Sequence, residues 1–454
     1  MGKLIFIFFM TFQRVFGFSP ENYFQDDMTL MDTLNFKESG KLKTGTKDIL
    51  FGHYLIDPKN RISDSFNIPK ELDSRVKFWF KVYTQHTSSQ SVLHDIDNLA
   101  LIYDVIDFTE LTKSILNKNT KYGLQNKAMR QVVKQYNSAF SKLSKGECSE
   151  EKCIRIISAL KKANIDVPRS KKRKAFFMGY AKRLRSQTGQ KNHIKQGLKN
   201  LRGYNESIQN LFEIFDLPKE LVAISFLESS FNIHAKSKVG ATGPWQFMRV
   251  IGKHFLRITR LVDQRKGPLV STAGALHLLA QNKKIMKRWD LAVNAYNSGT
   301  GLMRRGIKRL RKKGFKNIGV STLIEHFNHP NWGFAAKNFY SEFLALVYTL
   351  NYRDLIFSEQ VDKHDGKIDF YLTKCETSLL KVIPLLKSTQ HNLRHVNNHL
   401  LKGRSSTRYP KGTLFMSDVP LTSKRYFKVD PKKLRRRYPK NLYKLVKSQS
   451  CSKR

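Results

Sequence analysis

With 454 residues the chain has room for two or three domains and at least one sizeable core. An apolar share of 40% excludes a mainly disordered protein. The balance of 82 Lys and Arg against 36 Asp and Glu leaves a formal charge of +46. Such a field draws nucleic acid, anionic lipid headgroups and acidic wall polymers alike, and a lysine-rich bias over solvated faces would give it too.

Residues 1–17 have the three-part pattern of a secretory signal: Lys3, an apolar run over 4–12, and Val15-Phe16-Gly17 at the cleavage position. The apolar run is too short to span a bilayer, and Arg14 lies close to it. With no cysteine near the cleavage site, nothing points to a lipid anchor. The expectation is a periplasmic or secreted protein associated with the cell envelope. In such an oxidising compartment Cys148 and Cys153 would close a short loop, although spacing equally allows all four cysteines to be free thiols. No His or Cys cluster has metal-ligand spacing, so neither a metal nor another cofactor is expected.

Residues 18–67 read as an extended lead-in, and 68–165 as an all-helical domain of unknown role. Residues 166–205 form a basic connector with no acid after 169, either a solvated helix face or a polyanion contact. Residues 206–355 hold the strongest local signals. Over 366–421 the pattern changes to β-α-β: 368–372 alternates, 379–400 is helix-like, and 413–416 closes with a strand. The last 33 residues, 422–454, are a tail with thirteen cations and one acid, Asp430, a composition typical of disordered, anion-seeking tails. The fold class is mainly α.

The chemistry concentrates in three motifs. Pro218 suits a first helical turn and Glu220 follows it where the helix dipole favours an acid. Leu221, Ile224 and Glu228 then share one helical stripe, which puts a carboxyl on the face that should be buried. Desolvation there favours the neutral acid, as general-acid work near neutrality requires. A Glu neutralised by a nearby Lys or Arg would show the same spacing. In Gly240-Ala241-Thr242-Gly243-Pro244-Trp245-Gln246-Phe247-Met248 the glycines allow tight turns, and Pro244 suits the start of a helix. Trp245 and Phe247 offer platforms for a sugar ring, and Gln246 donates and accepts as an acetamido group needs. A capping turn with core aromatics would look alike. Ala295-Tyr296-Asn297-Ser298-Gly299 is a helix end, structural or functional.

In order and spacing, Glu228-Ser229-Ser230-Phe231 and the other two motifs resemble the catalytic domain of the soluble-lytic-transglycosylase family, a branch of the lysozyme-like fold. The likeness extends upstream over 197–217, covers about 150 residues, and is nearest to the branch of membrane-bound lytic murein transglycosylase D. It implies that Glu228 is the sole catalytic acid and that Ser229 supports its carboxyl. It also implies that Gln246 and Tyr296 line the cleft, with Gly240 and Asn297 beside them. Pro244 stands where the family has Leu, and Phe339 where this branch has a cleft Tyr, with Tyr340 adjacent. Residues 366–421, through Ser378-Leu379, Asn392-Leu393, Asn397-Asn398 and Leu400-Leu401, resemble the LysM-like module that follows this domain; a small structural lid is the alternative.

The resemblance implies cleavage of the β-1,4 bond between N-acetylmuramic acid and N-acetylglucosamine in peptidoglycan glycan strands, leaving a 1,6-anhydro end. Two other classes stay open: a hydrolytic lysozyme of the same fold, which needs a second carboxylate, and a non-catalytic peptidoglycan- or polyanion-binding protein. The basic tail would add contacts to anionic wall or membrane surfaces, and specific nucleic-acid binding is not expected.

Overall fold

The computed structural model describes residues 52–146, 148–169, 172–358, 368–382, 396–401, 406–417, 421 and 426–435. The expected signal segment and most of the basic tail lie outside them. The fold is mainly helical, as the sequence predicts, with a small strand content. No helix among the described residues is long and apolar enough to cross a membrane.

Residues 68–165 are not all helix. Strand β1 (Gln90–Asp95) pairs antiparallel with β2 (Ile102–Asp107) and with β3 (Leu184–Thr188), in the order β2-β1-β3. Both β1 and β2 are buried on both faces, so the polar alternation that marks a half-exposed strand is missing. Strand β3 comes from the expected basic connector, which is therefore folded structure. Its described Lys and Arg residues are at least partly exposed, although the Nε of Arg185 is buried, while Ile194, Leu198 and Leu201 of helix Lys191–Arg202 enter the core. The end of the lead-in is packed as well: Leu55, Ile62 and Phe66 are buried, and Arg61 holds Asp354 through two hydrogen bonds of 2.7 and 3.1 Å.

Two hydrophobic cores account for this arrangement. The larger runs from helix α1 (Asp73–Thr84) through the motif-bearing helices to the C-terminal strands. Helices α2 (Ala223–Ser229) and α4 (Trp289–Ser298) carry motif residues, and α3 (Pro268–Met286), α5 (Thr300–Lys312) and α6 (Phe334–Asn351) pack around them. Helix α6 has one acid in eighteen residues, is buried along nearly its whole length, and packs against both α1 and α2. A satellite core gathers Leu93, Tyr103, Ile106, Tyr136, Phe140 and Phe177 between the first sheet and the Lys118–Lys145 helix and its neighbours. Cys148 and Cys153 are bridged beside it, which settles the choice left open by their spacing.

At the C-terminal end β4 (Asp369–Thr373) lies between β7 (Leu414–Ser417) and β8 (Tyr426–Val429), all antiparallel. The short strands β5 (Thr377–Ser378) and β6 (Arg408–Tyr409) pair separately. Strand β8 belongs to the stretch expected as a disordered tail. Its two end residues, Tyr426 and Val429, are buried, as is Leu434, whose carbonyl accepts from His277 Nε2 at 2.7 Å. This module is bonded to the turn over 258–263: Asp263 N–H donates to His399 O and Leu401 N–H to Leu261 O, both at 2.8 Å.

Candidate active site

Pro218 precedes a 3-10 turn, Lys219–Val222, that runs directly into α2. Leu221 and Ile224 are fully buried, so the predicted stripe does face the core. Glu228, one turn further on, is only partly buried, at the point where that face meets the outside. The helix ends abruptly after it. Ser230 and Phe231 take φ of 50° and 51°, the left-handed region that costs a non-glycine residue about 1–2 kcal/mol. Closing bonds from Ser230 N–H to Phe226 O and Phe231 N–H to Ser225 O hold them there. Ser229 turns its hydroxyl to the backbone, donating to Pro244 O at 2.9 Å and accepting from Asn232 N–H at 3.0 Å. It thereby ties the end of α2 to the Gly-rich turn.

Burial pushes the Glu228 carboxyl up to about 8, and the negative charge of Glu342 on α6 adds to the shift. Glu228 is therefore protonated at neutral pH, the state a proton donor needs. Glu342 is itself buried and also raised to about 8, against the opposing pull of the Tyr83 hydroxyl and Arg185. Tyr296 on α4 is raised well above its ordinary value by burial and by Glu228, so it stays a neutral donor.

The Gly-rich segment is a compact turn, with Thr242 bridging to Lys236 on one side and to Phe247 on the other. Gly243 has φ +80°, and a Cβ there would lie 1.8 Å from Arg265 O, so only glycine fits. Pro244 lies inside this turn and starts no helix; the next one is Arg249–Phe255. Trp245 and Phe247 are not sugar platforms. Both are buried, and Trp245 Nε1 donates to Thr272 Oγ1 at 2.9 Å, because a core position satisfies the indole that a surface platform would leave to solvent. Gln246 remains partly exposed at φ 45°, with Nε2 donating to Gly243 O at 2.9 Å.

Tyr296 donates to Trp245 O at 2.8 Å, which joins the third motif to the second. Asn297 beside it has a buried Nδ2 with no partner among the described residues. Gly240 is half-buried, and its carbonyl is held by Arg265. Phe339 and Tyr340 are both buried, and Tyr340 stacks on Phe343 at 5.8 Å. The structure thus brings Glu228, Ser229, Gly240, Gln246, Tyr296 and Asn297 together at one end of the larger core.

Residues 215–318 match the transglycosylase SLT domain. That stretch holds all three motifs. Over 101 residues the chain is 38% identical to the membrane-bound lytic murein transglycosylase D of Escherichia coli strain K12, and equally so to that of Escherichia coli O6:H1. Each match covers 22% of this chain and 22% of the relative, so the chain spans about a fifth of the length of the curated relatives it matches.

Three residues of the site escape the sequence reading. Arg265, buried with Asp263 at 2.7 and 2.9 Å, sends Nη1 to Gly240 O at 2.9 Å and Phe247 O at 3.1 Å, clasping both ends of the Gly-rich turn. Glu342 and Tyr83 lie outside the SLT-matching stretch, and Tyr83 Oη donates to Glu342 Oε2 at 3.1 Å. The available signal was Glu342 itself, the one acid in a mainly apolar helix.

Proposed function

We propose that the chain is a peptidoglycan lytic transglycosylase with Glu228 as its catalytic acid. The observation that carries this reading is a carboxyl raised to about 8, set between the Gly-rich turn and Tyr296 within the SLT-matching stretch. Glu228 would give its proton to the glycosidic oxygen between N-acetylmuramic acid and N-acetylglucosamine. The substrate's acetamido group and the dipoles of the site would steady the oxocarbenium-like centre. Glu228, now a carboxylate, would take the proton from the muramic 6-hydroxyl as that oxygen closes the 1,6-anhydro ring. Every proton is returned and no water is consumed.

Gln246 and Asn297 suit the acetamido and hydroxyl groups of the sugars, since each offers a donor and an acceptor. Tyr296 and Ser229 hold the turn that carries Gln246. The module over 366–421 serves as a wall-binding LysM-like unit or as a lid on the 258–263 turn, and its bonds to that turn favour the lid. An envelope location suits the substrate. Beyond Arg435 the cations of the tail would hold the protein on anionic surfaces. Removal of residues 436–454 is then expected to weaken sedimentation with intact sacculi at low salt only; equal binding by both forms at every salt concentration overturns that role.

The reaction class is tested by mass spectrometry of muropeptides released from sacculi. The expected products carry 1,6-anhydromuramic ends. Reducing ends would identify a hydrolase instead, and no release would leave a binding protein.

A further inference from the structure

Helices α1 and α6 are joined by a ladder of polar side chains. Arg75 Nη1 and Trp79 Nε1 both donate to Asn338 Oδ1, at 2.9 and 3.3 Å, and Tyr83 donates to Glu342 one turn further along. Arg75, Trp79 and Tyr83 are spaced by four, and so are Phe334, Asn338 and Glu342, so each set forms a single stripe on its helix. Arg185 of β3 lies 4.1 Å over the Phe334 ring, with its Nε buried and unbonded among the described residues. Helix α2, with Glu228, packs on the same α6.

The charges around this seam can be counted. Tyr83 and Arg185 face Glu342, and Glu228 and Tyr296 complete the set on the α2 and α4 side. His94 of β1, beside Phe334 and Arg185, is held down at about 4 by burial and is uncharged at neutral pH. Tyr83 and Tyr296 are held neutral by burial. Among these groups one cation, Arg185, acts on Glu342, and none acts on Glu228. Only one of the two carboxyls can ionise at little cost, and the Tyr83 hydroxyl and Arg185 both favour Glu342 as that one.

We propose that Glu342 is a positioning residue for Glu228: held as the carboxylate by Tyr83 and Arg185, it keeps the working proton on Glu228. The charge state of the acid in the SLT-matching stretch is then set by residues outside that stretch, from α1 and β3. This inference rests on the reading of Glu228 as the acid. The two carboxyls titrate as a coupled pair with one shared proton over the neutral range.

The test uses the full chain with Glu342→Gln and Tyr83→Phe. Two readouts are taken: the high-pH limb of kcat/KM, and a carbon-13 titration of the Glu228 carboxyl, which needs no turnover. Removal of the Glu342 charge is expected to move the Glu228 midpoint down by about one pH unit. Tyr83→Phe, which frees Glu342 to hold its own proton, moves it the same way by less. Glu342→Gln is close in shape, and Tyr83→Phe keeps the ring, so each variant checks the other if one folds poorly. Unchanged midpoints in both variants overturn the proposal, even if kcat falls, since a structural seam lowers rates without moving a titration. A carboxyl midpoint that moves in a protein that cleaves no glycan would sustain the pair and overturn only the functional reading.

Discussion

The satellite core and the larger core treat buried acids in opposite ways. In the satellite, Asp104 is buried and answered by Arg155 and by the Tyr136 hydroxyl at 2.8 Å. Asp95 at the end of the central strand β1 meets Arg183 at 2.8 Å and two backbone N–H groups, of Asp97 and Asn98. In the larger core Asp263 is matched in the same manner by Arg265, but Glu342 has only the Arg185 charge acting on it and Glu228 has no cation at all acting on it. Acids that fold the protein come with their cations in fixed geometry, whereas the undercompensated pair keeps one proton between its two carboxyls at neutral pH. A shortage of positive charge, inside a chain of +46, is what marks the working site.

That contrast is broken most sharply at Glu228. Glu228→Gln is expected to lower muropeptide release by about 10²-fold or more, while circular dichroism shows a native fold. Retention of a tenth or more of the turnover would place the acid elsewhere. Next in size is Arg155→Ala, which strands Asp104 without its cation. It should cost about 3 kcal/mol of stability in denaturant unfolding, as loss of one partner of a buried pair does, yet leave kcat/KM at 25 °C intact. If activity falls in step with the loss of Arg155, the satellite is not merely structural.

The smallest effect is in the slope of stability against pH. Glu228 is raised in the fold from 4.5 to about 8, so between those values the folded protein holds a proton that the unfolded chain releases. Stability therefore declines as pH rises through that window. Glu228→Gln removes this loss, so the variant should melt progressively higher than its parent from pH 5 to pH 8 and equal it below about pH 4. Parallel melting curves would show that the acid is not desolvated.

These expectations show how far the sequence carried the site. The spacing of Leu221, Ile224 and Glu228 was enough to place an acid on a buried face, because helical periodicity is local. The glycines of the turn were legible for the same reason, as left-handed backbone and close approach leave few other residues possible. What periodicity cannot carry is the partner. Trp245 and Phe247 read as sugar platforms, yet depth, which depends on the Pro268–Met286 helix laid over them, put them in the core. Strands β1 and β2 passed for helix because burial on both faces erased their alternation. Glu342 and Tyr83 are 259 positions apart in the chain, and only the packing of α1 on α6 makes them neighbours.

The clasp formed by Arg265 has a consequence for binding thermodynamics. One guanidinium, itself anchored by Asp263, holds Gly240 O and Phe247 O together, so the segment that carries Gln246 is ordered before any sugar arrives. A free loop of this length would lose conformational entropy on closing around a ligand, about 0.5–1.5 kcal/mol for each side chain immobilised. Here that loss is already borne by folding. Association with the glycan should accordingly be rapid and nearly rigid, with affinity governed by hydrogen-bond fit rather than by the ordering of the receptor.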